Sequence, residues 1–149
     1  MSLQQDIMTA MKIAMKEKNT TTLTALRAVK SAILLAQTES GASDELTQEQ
    51  EFKLLQKQVK QRKDSAAIYL EQGREDLAAP ELAEAEVISQ FLPESLSEED
   101  IEKVVLETIK KIGAEGMKDM GKVMGIVSKE LTGKADGKTI SNIVKAKLL

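Results

Sequence analysis

Cysteine and histidine are both absent from this 149-residue chain. Without cysteine there are no disulfides, no thiol nucleophile and no zinc-binding thiolate, and the chain is compatible with a reducing compartment. Without histidine there is no imidazole to serve as a base or a metal ligand near neutral pH. Carboxylates alone are chemically able to hold magnesium, but no spacing of acidic residues indicates such a site. We therefore predict no cofactor, no metal and no catalytic residue.

Aromatic residues and long apolar runs are scarce as well. Phe52, Tyr69 and Phe91 are the only aromatic residues, too few for an exposed platform on which bases stack. An RNA partner would therefore be contacted through phosphates and shape. No stretch approaches the about 18 consecutive apolar residues of a membrane span, and the first residues lack the basic and apolar segments of a signal peptide. The sequence predicts no membrane partner and a cytoplasmic location.

Helix-forming residues dominate what is present. Only two prolines occur, and no segment alternates apolar and polar residues as a strand does. Apolar residues recurring every three or four positions instead predict an all-α protein of seven helices. These helices cover about residues 3–16, 22–38, 47–72, a segment beginning between 75 and 81 and ending at 92, 98–112, 117–131 and a last one that Asp136 caps.

Local signals also predict the boundaries between elements. Thr47 followed by Gln50 forms a capping box, and small polar residues predict a loop at 41–46. Pro93 disfavours helix in the residue before it, and Ser97 with acidic residues after it begins a new helix. We therefore predict an N-terminal four-helix region at residues 1–92 and a compact three-helix unit at residues 93–149.

Charge is distributed unevenly, although the formal net charge is only −3. Residues 117–149 hold seven lysines and three acids, residues 53–63 hold five basic residues and no acid, and residues 75–102 hold ten acids and no basic residue. The basic block is either a solvated face attracted to the acidic helix after it, or a track for phosphates along Lys53, Lys57 and Lys60. Lysine predominates over arginine, which favours non-specific phosphate contacts over base recognition.

The C-terminal lysines surround two glycines within a predicted helix. Gly121 and Gly125 stand four apart and share one stripe, where each glycine costs about 1 kcal/mol relative to alanine. Either another helix crosses closely there, or the stripe is a smooth surface for a ligand or a nucleic-acid backbone. Lys118 and Lys122 belong to the same segment.

A glycine-rich turn follows this helix. Gly133 stands where a left-handed residue ends a helix, and Lys134 and Lys138 lie beside the positive end of the last helix, which suits a phosphate. The sequence Gly-Lys-Thr at 137–139 does not form a nucleotide-binding P-loop. That motif needs a glycine five residues before Gly137, where this chain has Thr132, and it needs a strand before the loop, which is not predicted here.

Arg62 falls within the apolar seam of the third predicted helix. A buried guanidinium must be paired, and Glu81 and Glu84, three residues apart on the next helix, are the expected partners. The alternative is that Arg62 extends its charge to solvent at the edge of the seam.

Several motifs in order resemble the YqeY family across nearly the whole chain. They are LRAVKSAI at 26–33, KQVKQRKDSA at 57–66, GREDLA at 73–78, FLP at 91–93, KDMGKVMG at 118–125, GKADGK at 133–138 and SNIVK at 141–145. Phe91 stands where that family often has tyrosine. The family is related to the tail domain of the B subunit of the glutamine-dependent tRNA amidotransferase, which contacts the body of tRNA, and similar modules are appended to glutaminyl-tRNA synthetases.

This resemblance implies a non-catalytic module that contacts tRNA, or that docks on a synthetase or amidotransferase. The contacts would come from Lys118, Lys122, Lys134 and Lys138. One alternative is an accessory role in glutamine-dependent carbon–nitrogen ligation beside a catalytic partner, since glutamine is the amide donor in that chemistry. Another alternative is a protein–protein adaptor that uses the acidic face of the fourth helix.

Overall fold

The computed structural model describes residues 2–39 and 45–149. Within these residues the chain forms seven α-helices, one short 3₁₀ helix and no strand, which confirms the all-α class. The helices are α1 (Leu3–Glu17), α2 (Thr20–Glu39), α3 (Gln48–Glu71), α4 (Glu75–Ser89), α5 (Glu98–Ile112), α6 (Met120–Glu130) and α7 (Gly137–Leu148), with the 3₁₀ helix at Met117–Asp119. Most of the loop predicted at 41–46 lies outside the described residues.

Side-chain hydrogen bonds begin α3 and α5 at the predicted places. The Gln50 N–H donates to Thr47 Oγ1 at 3.2 Å, and the Thr47 N–H donates to Gln50 Oε1 at 2.9 Å, which confirms the capping box of α3. Ser97 caps α5 by accepting from the Asp100 N–H. Gly113 ends α5 with a φ of 68°, in the left-handed region that glycine adopts readily.

The boundaries of two helices in the first half differ from the predicted ones. α2 begins at Thr20 instead of residue 22, because the Asn19 side chain accepts a hydrogen bond from the Thr22 N–H. α4 ends at Ser89 instead of residue 92. The residues just before Pro93 form tighter turns there, since proline disfavours helical backbone in the residue that precedes it.

Contacts divide the chain into two compact units, Met1–Leu92 and Pro93–Leu149. In the first unit, all four helices contribute to one aliphatic core. Its buried members are Leu3, Ile7, Ala25, Leu26, Val29, Ile33, Leu55, Val59, Ala85 and Ile88. The partly buried rings of Phe52 and Phe91 pack against this core, so the few aromatic residues of the first unit serve mainly in packing.

The second unit has a core of its own, made by α5, α6 and α7. Its buried members are Ile101, Val105, Val123, Val127, Leu131, Ile140, Val144 and Leu148. Within α6, Val123 is fully buried in this core, and Met124 packs at its margin. Burying each such side chain contributes about 1.5–3 kcal/mol, which makes this core the main stabilising feature of the unit.

Candidate nucleic-acid interface

The outer face of α6 carries several of the residues that the sequence predicts as RNA contacts. Val123 and Val127 point into the core and are fully buried, which leaves the opposite side of the helix to solvent. Together with the preceding 3₁₀ helix, that side presents the residues that we call the α6 face. They are Lys118, Gly121, Lys122, Gly125, Ile126 and Lys129, all exposed.

A 3₁₀ helix occupies the first residues of the segment that the sequence predicts to be one continuous helix. The Asp119 carboxylate accepts a hydrogen bond from the Glu115 N–H at 3.0 Å, and the Asp119 N–H donates to the Gly116 carbonyl at 2.9 Å. These bonds stabilise a tighter turn in front of α6. Lys118 is therefore held on an ordered turn at the start of the α6 face.

Gly121 and Gly125 lie in open space. A Cβ atom built on either glycine would have no other heavy atom within 4 Å, apart from the helix's own backbone and chain neighbours. The interpretation as a close helix–helix crossing is therefore wrong, since no element of the described residues approaches them. The backbone of α6 is left uncovered along the stripe between Lys118, Lys122 and Lys129.

The turn after α6 is fixed by backbone hydrogen bonds. Gly133 adopts a φ of 83°, the left-handed conformation that the sequence predicts. The Lys134 N–H donates to the Leu131 carbonyl at 2.9 Å, and the Lys134 carbonyl accepts from the Leu96 N–H at 2.9 Å. The backbone N–H and carbonyl of Lys134 are thus both hydrogen-bonded, and its exposed side chain projects from an ordered turn.

Asp136 occupies the positive end of α7. Its Oδ1 accepts from the Lys138 N–H at 2.6 Å and from the Thr139 N–H at 3.0 Å. The Thr139 hydroxyl donates to Oδ2 at 3.1 Å. The Asp136 carboxylate thus accepts from the backbone N–H groups that would otherwise bind an external anion at this helix end. A phosphate near this turn would meet the ammonium groups of Lys134 and Lys138 instead.

Unmatched positive charge distinguishes this part of the second unit. No lysine of the α6 face or of the following turn forms a salt bridge with any residue that the structure describes. The salt bridge found in this unit joins Lys147 and Glu102 at 2.7 Å, away from that face. The exposed lysines are therefore available to an external anion.

The lysines predicted as a phosphate track on α3 have a different environment. Lys53 pairs with Glu49 at 2.9 Å and Lys60 pairs with Asp64 at 2.8 Å, each one turn away on the same helix. Lys57, between them, is exposed and forms no salt bridge among residues 2–39 and 45–149. Two of the three charges are thus partly balanced within α3.

Arg62 lies between α3 and α4 and contacts one of its two expected partners. Its Nε donates to Glu84 Oε2 at 3.3 Å, with only 13% and 17% of the two side chains exposed. Its Nη1 donates to the backbone carbonyl and the side-chain oxygen of Gln58 at 3.2 and 2.8 Å. Glu81 is half-buried and forms no salt bridge with a described residue. The arrangement is that of a structural ion pair.

Sequence reasoning did not include Lys129 and Ile126 in the candidate interface. Both follow the helical spacing of the predicted residues, since Ile126 is four positions and Lys129 seven positions after Lys122. That spacing is the signal that would have found them.

In the part of the chain that the structure describes, no cluster of acidic residues is arranged to hold a metal ion, and none of the helices has the length and apolar character of a membrane span.

The fold and this face together define a small all-α module with an exposed, lysine-bearing helix. The chain belongs to the YqeY family: the family model described as "Yqey-like protein" matches residues 4–148. The resemblance seen in the sequence motifs is thereby confirmed.

Individual relatives extend this assignment. The chain is 37% identical over 73 residues to the E subunit of the glutamyl-tRNA(Gln) amidotransferase of Thermococcus gammatolerans, which is 46% of this chain but 12% of that protein. It is 30% identical over 152 residues to the altered inheritance of mitochondria protein 41 of Pyrenophora tritici-repentis, covering 97% of this chain and 80% of the relative. The protein of that name from Clavispora lusitaniae is 36% identical over 107 residues, with 70% of this chain and 61% of its own length covered.

Proposed function

We propose that this chain is a non-catalytic helical module that contacts RNA through the α6 face and the turn that follows it. The observation that carries the proposal is the set of five exposed lysines, Lys118, Lys122, Lys129, Lys134 and Lys138, none in a salt bridge with a described residue. The open backbone at Gly121 and Gly125 would let a phosphodiester chain approach closely. The similarity to one subunit of a tRNA-dependent amidotransferase makes tRNA the RNA to test.

Binding of this kind depends on the shape of the RNA and on the charge of its phosphates. Lysine ammonium groups act as point charges on phosphates, and their affinity falls with salt because bound counterions are released. With no aromatic residue in 93–149 to stack on bases, we expect little sequence preference. The α3 lysines Lys53, Lys57 and Lys60 would add secondary contacts at most, because two of them pair within their own helix.

An accessory role in glutamine-dependent tRNA amidation is the second candidate, and the name of the Thermococcus relative favours it. The chain would then deliver or hold tRNA for a catalytic amidotransferase or synthetase.

We further propose that residues 1–92 and 93–149 are separate four-helix and three-helix domains, and that the protein is cytoplasmic. The names of the two fungal relatives place those proteins in mitochondria.

The test is filter binding of purified protein to bulk tRNA over a salt series. We expect log affinity to fall linearly with log salt, and the Lys122→Glu/Lys129→Glu variant to weaken binding by about 30-fold or more and to reduce the slope by about two. Lys103→Glu/Lys110→Glu is the matched control, since these exposed lysines have the same seven-residue spacing on α5. Equal losses in both variants, or binding insensitive to salt, would contradict the assignment of the α6 face.

A further inference from the structure

The hairpin of α3 and α4 extends past the core of the first unit. Val59 is the last α3 residue in that core, and Ala85 is the first α4 residue in it. No apolar residue between them belongs to the core or packs against it. We call residues 60–84 the arm.

The arm buries little apolar surface of its own. Ala66 and Ala78, each 1% exposed, are its only buried residues. Alanines allow two helices to approach closely but remove little area from water. The larger aliphatic residues of the arm are between 38% and 54% exposed; they are Ile68, Leu70, Leu77 and Leu82. A helical hairpin with apolar flanks normally buries them against a further layer of helices.

One salt bridge lies at each end of the arm. The half-buried pair of Arg62 and Glu84 joins α3 to α4 at the base. At the tip, the Arg74 guanidinium donates to both carboxylate oxygens of Asp76 at 3.0 Å, and this contact lowers the pKa of Asp76. Of these two salt bridges, the Arg62–Glu84 pair is the one that links the two helices of the arm.

The remaining charges of the arm are of both signs on α3 and entirely acidic on α4. Lys60 and Asp64 pair on α3. The charged arm residues outside any salt bridge among the described residues are Lys63 and Glu71 on α3 and Glu75 and Glu81 on α4. Packing α4 against α4 of another copy would bring acids together. Packing α3 against α4 would bring Lys63 of one copy toward the acids of the other.

We propose that two copies of this chain associate through their arms, with α3 of each copy lying against α4 of the other in a two-fold four-helix bundle. Such packing covers part of the exposed aliphatic surface of both arms, and two-fold symmetry uses the same surface twice. An interface of this modest size is expected to give a dissociation constant in the micromolar range. The inference concerns the first unit and does not depend on RNA binding by the second.

Sedimentation velocity on the full chain, from about 1 µM to about 500 µM, tests the proposal, because dimer population depends on concentration. We expect a concentration-dependent dimer and a loss of affinity of about 100-fold in Leu70→Glu/Leu82→Glu. Leu106→Glu on α5, where the leucine is 45% exposed, is the matched control and should leave the dimer intact. A chain that stays monomeric throughout, or a dimer that the arm variant leaves unchanged, overturns the proposal.

A charge exchange tests the arrangement of the helices. Lys63→Glu and Glu75→Lys/Glu81→Lys should each weaken self-association by about 3- to 10-fold, since each reverses one side of the charge pair. An equimolar mixture of the two variants should form a heterodimer tighter than either homodimer. Far-ultraviolet circular dichroism checks that both variants are folded. A mixture that associates no better than its components overturns the packing of α3 against α4.

Discussion

The two units are built from the same residue types but differ in how many of the basic side chains discussed above form salt bridges. In the first unit, Lys53, Lys60, Arg62 and Arg74 each form a salt bridge with a carboxylate of that unit. In the second unit, the lysines of the α6 face and of the following turn form none with described residues. Part of the positive charge of the first unit is thus paired within its own fold, whereas the lysines of the α6 face and of the following turn have no carboxylate partner among the described residues.

The difference teaches that a basic block in a sequence does not by itself indicate a nucleic-acid site. Residues 53–63 are denser in positive charge than the C-terminal segment, yet acids one turn away, or on the next helix, pair with three of their five basic residues. The α6 face has no such partners, and glycine leaves its backbone open. Four predictions follow the comparison from the largest expected effect to the smallest.

Val127→Asp should unfold the second unit and leave the first folded. Val127 is fully buried, and an unpaired carboxylate there would cost several kcal/mol, about the whole stability of so small a unit. Hydrogen exchange followed by mass spectrometry should show lost protection in residues 93–149 alone. Ile126→Asp, at the adjacent and exposed position, should keep protection. Loss of protection in both units would refute their independence.

Glu84→Leu should destabilise the first unit by about 1–3 kcal/mol, because the half-buried Arg62 keeps its charge and loses its carboxylate partner. The double variant Arg62→Leu/Glu84→Leu should recover most of that loss, since no charge is then left unpaired. Urea unfolding of the wild type, Glu84→Leu, Arg62→Leu and the double variant measures the coupling between the two residues. A double variant less stable than Glu84→Leu would mean that Arg62 stabilises the fold independently of Glu84.

Gly121→Ala and Gly125→Ala should each stabilise the second unit by about 0.5–1 kcal/mol, because both glycines are inside α6 and a Cβ there meets no neighbour. If the open backbone admits a phosphodiester chain, the same changes should weaken tRNA binding. Thermal unfolding and filter binding on the same samples separate the two effects. Unchanged binding in a stabilised variant would show that close approach to the glycines plays no part in recognition.

Lys53→Ala/Lys60→Ala should have the smallest effect. Exposed pairs one helical turn apart contribute about 0.2–0.5 kcal/mol each, so stability should fall by less than about 1 kcal/mol. Affinity for tRNA should fall much less than in Lys122→Ala/Lys129→Ala. Should the α3 variant lose as much affinity as the α6 variant, the phosphate track predicted along Lys53, Lys57 and Lys60 would be the main site.

Local sequence patterns were enough for much of the fold and for part of the site. The Thr47–Gln50 capping box, the left-handed Gly133 and the aliphatic seams of α5, α6 and α7 could be predicted, because each depends on residues within a few positions of one another. The need for a partner at Arg62 could be predicted too. The selection of Glu84 over Glu81 could not, since it depends on how α3 and α4 are rotated against each other.

By itself, then, the sequence determined an all-α chain of seven helices, the caps and seams of those helices, and the places where lysine and glycine concentrate. Tertiary structure alone decided that Gly121 and Gly125 face open space, that Arg62 pairs with Glu84 across α3 and α4, and that the aliphatic residues of the arm remain exposed. The physical reason is that helix formation depends on neighbours along the chain, whereas exposure and charge pairing between helices depend on residues that only packing brings together.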